Sequence, residues 1–319
     1  MLCIHLKTTD PYFCLAAEEY LLKNFTEDIF MLWQSENAVV VGKHQNLLAE
    51  INYPFVRENN IALCRRISGG GTVFHDSGNV NFSFIKNVKS MAEISFKQFT
   101  APVVEALAKL GVTATTSGRN DLLIDGLKIS GNAEHVFKNR VLHHGTLLFN
   151  SDLQNLGQAI KVVTGKYESK AVQSNRSPVA NISQFLRKPM KTGEFIQFLI
   201  RVQLENHENS FYVLNENHIQ SIEKLSTEKF KTWEWNFGYS PNYSFKNEVE
   251  IEGKLLKIEM WVERGMIVEA EIMGDYFDTD ELMKMQDEFS GRKHFYDSIN
   301  VVLFLIFKNP DSELVSAFL

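Results

Sequence analysis

Ile61-Ala62-Leu63-Cys64-Arg65-Arg66-Ile67-Ser68-Gly69-Gly70-Gly71-Thr72-Val73-Phe74-His75-Asp76-Ser77-Gly78-Asn79-Val80-Asn81-Phe82-Ser83-Phe84-Ile85 is the stretch on which the fold turns. Ile61 to Cys64 is a short apolar run that reads as a strand. Val80 to Ile85 alternates apolar and polar side chains, the period of a second strand. Between them lies a glycine run flanked by charge, not a helix. Strands joined in this way break the strict βαβ rhythm of a parallel sheet and favour an α+β fold.

Upstream, Asp10-Pro11 predicts a helix start, with Asp10 as N-cap and Pro11 at the first helical position. Ile29 to Trp33 and Ala38 to Val41, separated by the turn-prone Ser35-Glu36-Asn37, predict a strand pair. Downstream, Ser95 to Leu110 has a helical period and stops at Gly111. Asp121 to Ile124, Lys128 to Ile129 and Gly145 to Asn150 are further strand candidates around Gly126 and Gly131. The composition shifts near Tyr239-Ser240-Pro241-Asn242. Beyond it, Val249 to Ile272 alternates cleanly, with turns at Gly253-Lys254 and Arg264-Gly265. That pattern predicts an antiparallel meander with one wet, acidic face. A helix is expected over Asp280 to Phe289, while periodicity leaves Ser298 to Phe307 open between strand and helix. The expected division is residues 1–245 and a smaller domain over 246–319.

The chain has 319 residues, 44% of them hydrophobic and 23% charged, so it can bury a core and is not disordered. Three cysteines with no paired spacing, Cys3, Cys14 and Cys64, argue against a disulfide framework and against a cysteine-ligated zinc site. They point to a reducing, cytoplasmic setting. The N-terminus lacks the basic-then-apolar order of a signal peptide, and the longest apolar run, Val301 to Phe307, is too short to span a bilayer. Glu248 to Leu319 carries 16 acidic and 7 basic residues, a charge of −9. Subtraction from 39 acidic and 33 basic leaves 23 and 26, or +3, for the rest. The acidic part would repel nucleic acid and anionic membrane. No basic pattern with stacked aromatics marks a nucleic-acid surface.

Three successive glycines, Gly69 to Gly71, leave backbone N–H groups uncovered, and such a nest can cradle a phosphate or carboxylate. Arg65 and Arg66 add forked donors for an anion. This is not a Walker loop, because no Gly-Lys-Ser/Thr follows. A flexible turn with surface arginines is the other reading. Gly118-Arg119-Asn120-Asp121 and Lys128-Ile129-Ser130-Gly131-Asn132-Ala133 form a second constellation. A lysine on a strand ahead of a Ser-Gly turn can bridge a carboxylate and a phosphate, two anions that must be brought together before they react. A surface lysine on a hairpin is the alternative. In His143-His144-Gly145-Thr146, neighbouring side chains on a strand face opposite ways, so joint metal ligation is not expected. There is no Gly-x-Ser-x-Gly elbow.

Taken together, these segments resemble the lipoate–protein ligase A family. The likeness runs over nearly the whole chain: Asp10-Pro11 through Glu18-Glu19, Val41 to Asn46, Arg65 to Asn79, Gly118 to Asp121, Lys128 to Gly131, His143 to Leu148, Ser174-x-Arg176, and Trp233-Glu234-Trp235-Asn236-Phe237-Gly238. The resemblance implies a large mixed-sheet catalytic domain, like that of biotin protein ligases, with a small α+β accessory domain. It implies a two-step reaction. Lipoate and ATP give lipoyl-AMP and pyrophosphate, and a lysine ε-amine of a carrier protein then takes the lipoyl group and releases AMP. The carriers would be lipoyl domains of 2-oxoacid dehydrogenase E2 subunits or the glycine cleavage H protein. By resemblance, Arg66, Ser68, Gly70, Gly71, Thr72, Val73 and Phe74 belong to the nucleotide- and adenylate-binding segment. Lys128 is the lysine that contacts both carboxyl and phosphate. His75, Asn79 and His144 line the acyl pocket or support it. Asp121 has three open roles: binding Mg2+, orienting the adenylate, or assisting deprotonation of the incoming lysine. An ATP-independent octanoyl- or lipoyltransferase would need a downstream cysteine for its thioester, and no cysteine follows Cys64. A transferase limited to preformed lipoyl-AMP would look much the same in sequence.

Overall fold

The structure is a computed structural model, and it describes residues 1–90, 94–117, 120–160, 165–175, 177–307 and 310–319. Gly118, Arg119 and Arg176 of the motifs above lie outside the described residues. In chain order the elements begin with β1 (Leu2–His5), α1 (Pro11–Asn24), β2 (Ile29–Trp33), β3 (Ala38–Val41), α2 (Tyr53–Glu58), β4 (Ala62–Arg65), β5 (Val73–His75), β6 (Asn79–Asn87) and α3 (Phe96–Lys109). They continue with β7 (Thr115–Ser117), β8 (Asp121–Ile124), β9 (Leu127–Phe137), β10 (Arg140–Leu148), α4 (Leu153–Ala159), β11 (Tyr167–Ser169), α5 (Thr192–Leu204), β12 (Ser210–Phe211) and α6 (Glu216–Leu225). The last are β13 (Tyr243–Ile251), β14 (Lys254–Glu263), β15 (Met266–Gly274), α7 (Thr279–Phe289), α8 (Tyr296–Phe307) and α9 (Ser312–Ala317).

The described chain forms two compact units. The first takes Met1–Gly42, Ala62–Gly157 and Ser174–Lys231. Its frame is an eight-stranded mixed sheet in the order β12-β1-β2-β6-β10-β9-β8-β7. The β12, β1 and β2 strands run parallel, and the remaining pairings are antiparallel. Alternation along β6 divides its side chains between two buried faces. Val80, Phe82 and Phe84 join Phe99 and Val103 of α3 and Phe195 and Leu199 of α5 in one apolar core. Asn79, Asn81 and Ser83 point to the opposite face, where Ser83 Oγ meets Glu18 of α1. The α1 helix starts as its sequence predicts: Asp10 Oδ1 accepts from Tyr12 N at 2.8 Å and Phe13 N at 3.3 Å, and Pro11 opens the first turn.

Two expectations change. The runs Ile29–Trp33 and Ala38–Val41 are strands but not a pair. The β2 strand lies in the large sheet, whereas β3 sits between β4 and β5 in a three-stranded sheet. The intervening backbone is spent elsewhere: Glu36 N donates to Thr9 O and Asn37 O accepts from Ala62 N. Both strands are buried along their whole length, so neither could offer a hairpin the wet face it usually keeps. Second, Ser130-Gly131 is not a turn. It lies inside β9, and the hairpin to β10 turns at Lys138, with φ of 55°. Pairing of β8 with β9 skips one residue, Ile129, between Ser130↔Leu122 and Lys128↔Leu123, a bulge that re-aims the strand at Lys128.

The second unit takes Lys43–Ile61, Gln158–Gln173 and Thr232–Leu319. The predicted meander is β13-β14-β15, and β11 extends it to four strands. Its two turns have positive φ at Glu252-Gly253 and Arg264-Gly265, the geometry that two-residue hairpin turns require. Leu256, Ile258, Met260 and Val262 are buried, while Glu259, Trp261 and Glu263 lie on the outer face. The segment left open by periodicity is a helix, α8, with Ile299, Val302 and Leu303 buried at helical spacing. Among the described residues no helix is long and apolar enough to cross a membrane.

Candidate active site

Antiparallel pairing aligns one row of side chains across the α1 face of the large sheet. Trp33 stands opposite Asn81, Asn81 opposite Thr146, and Asp121 opposite Gly131. The row is closed by Gly131 N, which donates to Thr146 Oγ1 at 3.2 Å.

Lys128 enters this row from the bulge. Both of its backbone groups are bound by the neighbouring segment, N to Pro178 O at 2.9 Å and O from Ala180 N at 3.0 Å. Its side chain lies across Gly131 and reaches Asp121, with Nζ 2.9 Å from Oδ1 at an angle outside hydrogen-bond geometry. A Cβ on Gly131 would sit 3.2 Å from both Cε and Nζ of Lys128. Glycine is therefore what lets the lysine cross the strand. The pair is about a quarter exposed, so the ammonium is held but not sealed.

The glycine run stands over the next row. A Cβ on Gly70 would lie 3.6 Å from Ala133 Cβ, and Ala133 pairs with His144. The arginines shape the run rather than project from it. Arg66 Nη2 donates to Gly69 O at 2.6 Å and Gly71 O at 2.7 Å, Nη1 to Val40 O at 3.0 Å, and Nε to Ser68 Oγ at 3.0 Å. Burial pulls its pKa down to about 10, against the opposing pull of the Glu18 charge. Arg65 is fully buried, with Nη1 donating to Gly42 O. Because a trans peptide carries N–H opposite C=O, drawing the Gly69 carbonyl onto Arg66 turns the Gly70 N–H the other way. Gly70 holds φ of +87°, which a side chain would strain. Ser174 Oγ accepts from Thr72 N at 2.8 Å, so this motif serine anchors the end of the run. Val73 and Phe74 continue into β5, which pairs with β3.

A buried polar chain supports the loop. Trp33 Nε1 donates to Ser83 Oγ (3.1 Å), which donates to Glu18 Oε1 (2.6 Å). Both Glu18 oxygens lie 2.9 Å from His144 Nδ1, and His144 Nε2 lies 2.6 Å from Ser68 Oγ. His144 thus faces the loop. His143 points the other way, as strand alternation requires, and stacks on Phe99 at 4.8 Å with Nδ1 2.9 Å from Glu134. His75 is buried, with Nδ1 3.1 Å from Ser35 Oγ. Burial, and then the charges of Arg66 and His144, push its pKa down to about 3. Asn79 Nδ2 donates to Asn81 Oδ1 at 2.9 Å. Asp76, next to His75, ties the following turn by accepting from Gly78 N and Asn79 N, both at 2.9 Å.

Three residues of this face escaped the sequence reading: Trp33, Asn81 and, as a structural centre, Glu18. Glu18 carried a signal. It is an acid on the stripe of α1 defined by Cys14, Leu15, Leu21 and Leu22, all buried. The three cysteines lie away from Lys128 in sequence and are buried, and burial raises each thiol's pKa, that of Cys3 to about 11. None is poised as a thiolate.

A lysine ammonium and a glycine loop on one face of a mixed sheet define an α+β enzyme built to handle anionic ligands. Comparison with known proteins specifies it. Residues 10–203 match the lipoyl protein ligase A/B catalytic domain, and residues 240–308 match the bacterial lipoate protein ligase C-terminus. The chain belongs to the lipoate–protein ligase family. It is 41% identical over 297 residues to lipoate–protein ligase 1 of Staphylococcus aureus, covering 92% of this chain and 90% of that one. Among solved structures it is similar to a bipartite lipoate protein ligase of Thermoplasma acidophilum, studied with its E2 lipoyl domain (TM-score 0.64, 27% identity, 74% of this chain and 96% of that one). It is also similar to a lipoate–protein ligase A bound with ATP (TM-score 0.64, 26% identity, 74% and 98%).

Proposed function

We propose that this chain joins lipoate to ATP at Lys128, giving lipoyl-AMP and pyrophosphate, and then passes the lipoyl group to a lysine of a carrier domain with release of AMP. The observation that carries the reading is the Lys128 ammonium laid over Gly131, on the face the glycine run covers. In the first step a carboxylate oxygen attacks the α-phosphorus and the bond to the pyrophosphate oxygen breaks. Both reactants are anionic, so a cation between them lowers the barrier more than it stabilises either alone. Lys128 Nζ is that cation, and the ligand carboxylate or phosphate takes over the place of Asp121 Oδ1. Arg66 keeps the glycine run in shape, and the Gly70 N–H joins the groups that hold the adenylate. In the second step the incoming amine attacks the acyl carbon and AMP leaves. Asp121, released from Lys128, accepts the amine's proton in this scheme.

Mg2+ accompanies ATP in this scheme. It commonly takes one or two carboxylates and completes its shell with phosphates and water. Asp121 offers one carboxylate of the kind that mode uses. Bound there, the ion would neutralise charge on the leaving pyrophosphate.

The carriers proposed are lipoyl domains of 2-oxoacid dehydrogenase E2 subunits and the glycine cleavage H protein, in the cytoplasm. Residues 1–245 form the catalytic part and 246–319 the accessory part in this proposal. Incubation with lipoate, ATP and an apo carrier domain should add one lipoyl group to one carrier lysine and yield one AMP. Transfer that proceeds equally well without ATP would overturn the reading.

A further inference from the structure

Val301-Val302-Leu303-Phe304-Leu305-Ile306-Phe307, the longest apolar run of the chain, has no part in the chemistry above. It forms the second half of α8. A helical turn takes about 3.6 residues, so an unbroken apolar run of this length covers every side of the helix. Such a helix is normally buried all round. Here Val302 and Leu303 are fully buried, but Val301, Phe304 and Leu305 are 49%, 56% and 61% exposed. These three stand at i, i+3 and i+4, which makes them neighbours on one outer face. Half-exposed side chains of this size leave about 300 Å² of contiguous apolar surface, the scale of a binding patch rather than of scattered surface residues.

Charge decides what can cover this face. At its C-terminal end the Phe307 ring lies 4.6 Å from that of Phe277, and Phe277 meets Tyr276 at 4.7 Å. Burial, and then the charges of Glu252, Asp311 and Glu313, raise the Tyr276 phenol's pKa, so these three acids gather around that end. All three are exposed, and none forms an ion pair among the described residues. The carbonyl end of α8 adds partial negative charge. Asp297, also exposed, stands one turn before Val301 and puts an acid at the other end. The face is therefore apolar in the middle and acidic at both ends. A second copy of the chain would bring the same acids against these, from a segment, Glu248 to Leu319, with 16 acidic and 7 basic residues, or −9. The face is also smaller than the about 800 Å² that each partner of a stable dimer buries. An anionic membrane is repelled by the same charge. A partner that carries lysine or arginine beside an apolar stripe is attracted.

We propose that the outer face of α8 docks a basic amphipathic helix of a partner protein, with its apolar stripe on Val301, Phe304 and Leu305 and its cations on the acids at the Phe307 end. Apolar anchors at helical spacing supply the affinity of such a contact. The unpaired acids set its polarity and speed the encounter.

The test is fluorescence anisotropy of a labelled leucine–lysine peptide of about 18 residues, patterned as an amphipathic helix, titrated with the whole chain. A second peptide has glutamate in place of lysine. The lysine peptide should bind and the glutamate peptide should not. Phe304→Ser and Leu305→Ser should each weaken binding by about tenfold or more, with unchanged melting temperatures because both side chains face solvent. Glu252→Gln combined with Glu313→Gln should weaken binding and flatten its salt dependence. Glu269→Gln combined with Glu271→Gln, on the outer face of the sheet, should leave it unchanged. Failure of the lysine peptide to bind, or binding indifferent to Phe304→Ser and Leu305→Ser, would overturn the proposal. So would a loss in the sheet variant as large as in those two. Sedimentation of the chain alone and with phosphatidylcholine vesicles tests the other occupants. A dimer, or vesicle binding, that Phe304→Ser abolishes would give the face to a second copy or to a membrane and likewise overturn the proposal.

Discussion

Gly131→Ala tests the geometry of the site without touching a charged group. The glycine has no positive φ, so alanine brings no backbone strain there. The new methyl would lie 3.2 Å from Cε and Nζ of Lys128, inside ordinary contact distance, and the lysine end must lift by a few tenths of an ångström. If the ammonium sits 2.9 Å from a ligand oxygen, as it does from Asp121 Oδ1, and moves to about 3.5 Å, the attraction at an effective dielectric of about 20 falls by about 1 kcal/mol, or roughly fivefold in rate. Misalignment of the attacking carboxylate adds to this, since displacements near 1 Å cost up to about 100-fold. The expected result is a fall of about 5–50-fold in lipoate-dependent pyrophosphate release, with an unchanged melting temperature. Lys128→Ala sets the lower bound, with a loss of at least about 100–1,000-fold. Unaltered turnover in Gly131→Ala would refute the claim that the lysine works from its position over this residue.

Other expectations follow from the supporting contacts. Gly70→Val should both destabilise and inactivate, because φ of +87° strains a side chain by about 1–2 kcal/mol and its Cβ would sit 3.0 Å from Arg66 Nη2; a stable, active variant would contradict the account of the loop. Glu18→Gln removes the charge at the centre of the His144, Ser83 and Arg66 network and should cost about 1–3 kcal/mol, read by calorimetry as a drop of roughly 2–4 °C per kcal/mol. His294, held by Tyr243 and Phe318 O, has its pKa pulled by burial from 6.5 to about 4, so the unfolded chain binds its proton first as pH falls. Stability should therefore decline from pH 6.5 towards 4, and His294→Gln should flatten part of that slope; an unchanged slope would count against it.

Local features were more legible in the sequence than the long-range geometry around them. Asp10 as a cap, the turns at Gly253 and Gly265 and the opposed directions of His143 and His144 all follow from local rules, and each holds. The separation of β2 from β3 does not follow from local rules, because it depends on Asn37 pairing with Ala62 across the chain. Likewise, Arg66 reads as a donor for ligands, yet its guanidinium is spent on Gly69 O and Gly71 O, a choice made by burial. The alternation of Asn79, Asn81 and Ser83 with Val80, Phe82 and Phe84 is the pattern of a half-wet strand. Here both faces are covered, and the polar one carries the proposed site. Nothing in residues 43–61 or 158–173 signals that they share a compact unit with the C-terminal stretch.

The most direct test of the central claim is lipoate-dependent exchange of labelled pyrophosphate into ATP, with no carrier present. The account predicts exchange that requires lipoate and disappears in Lys128→Ala. Absence of exchange from a folded protein that still transfers supplied lipoyl-AMP to a carrier would contradict it.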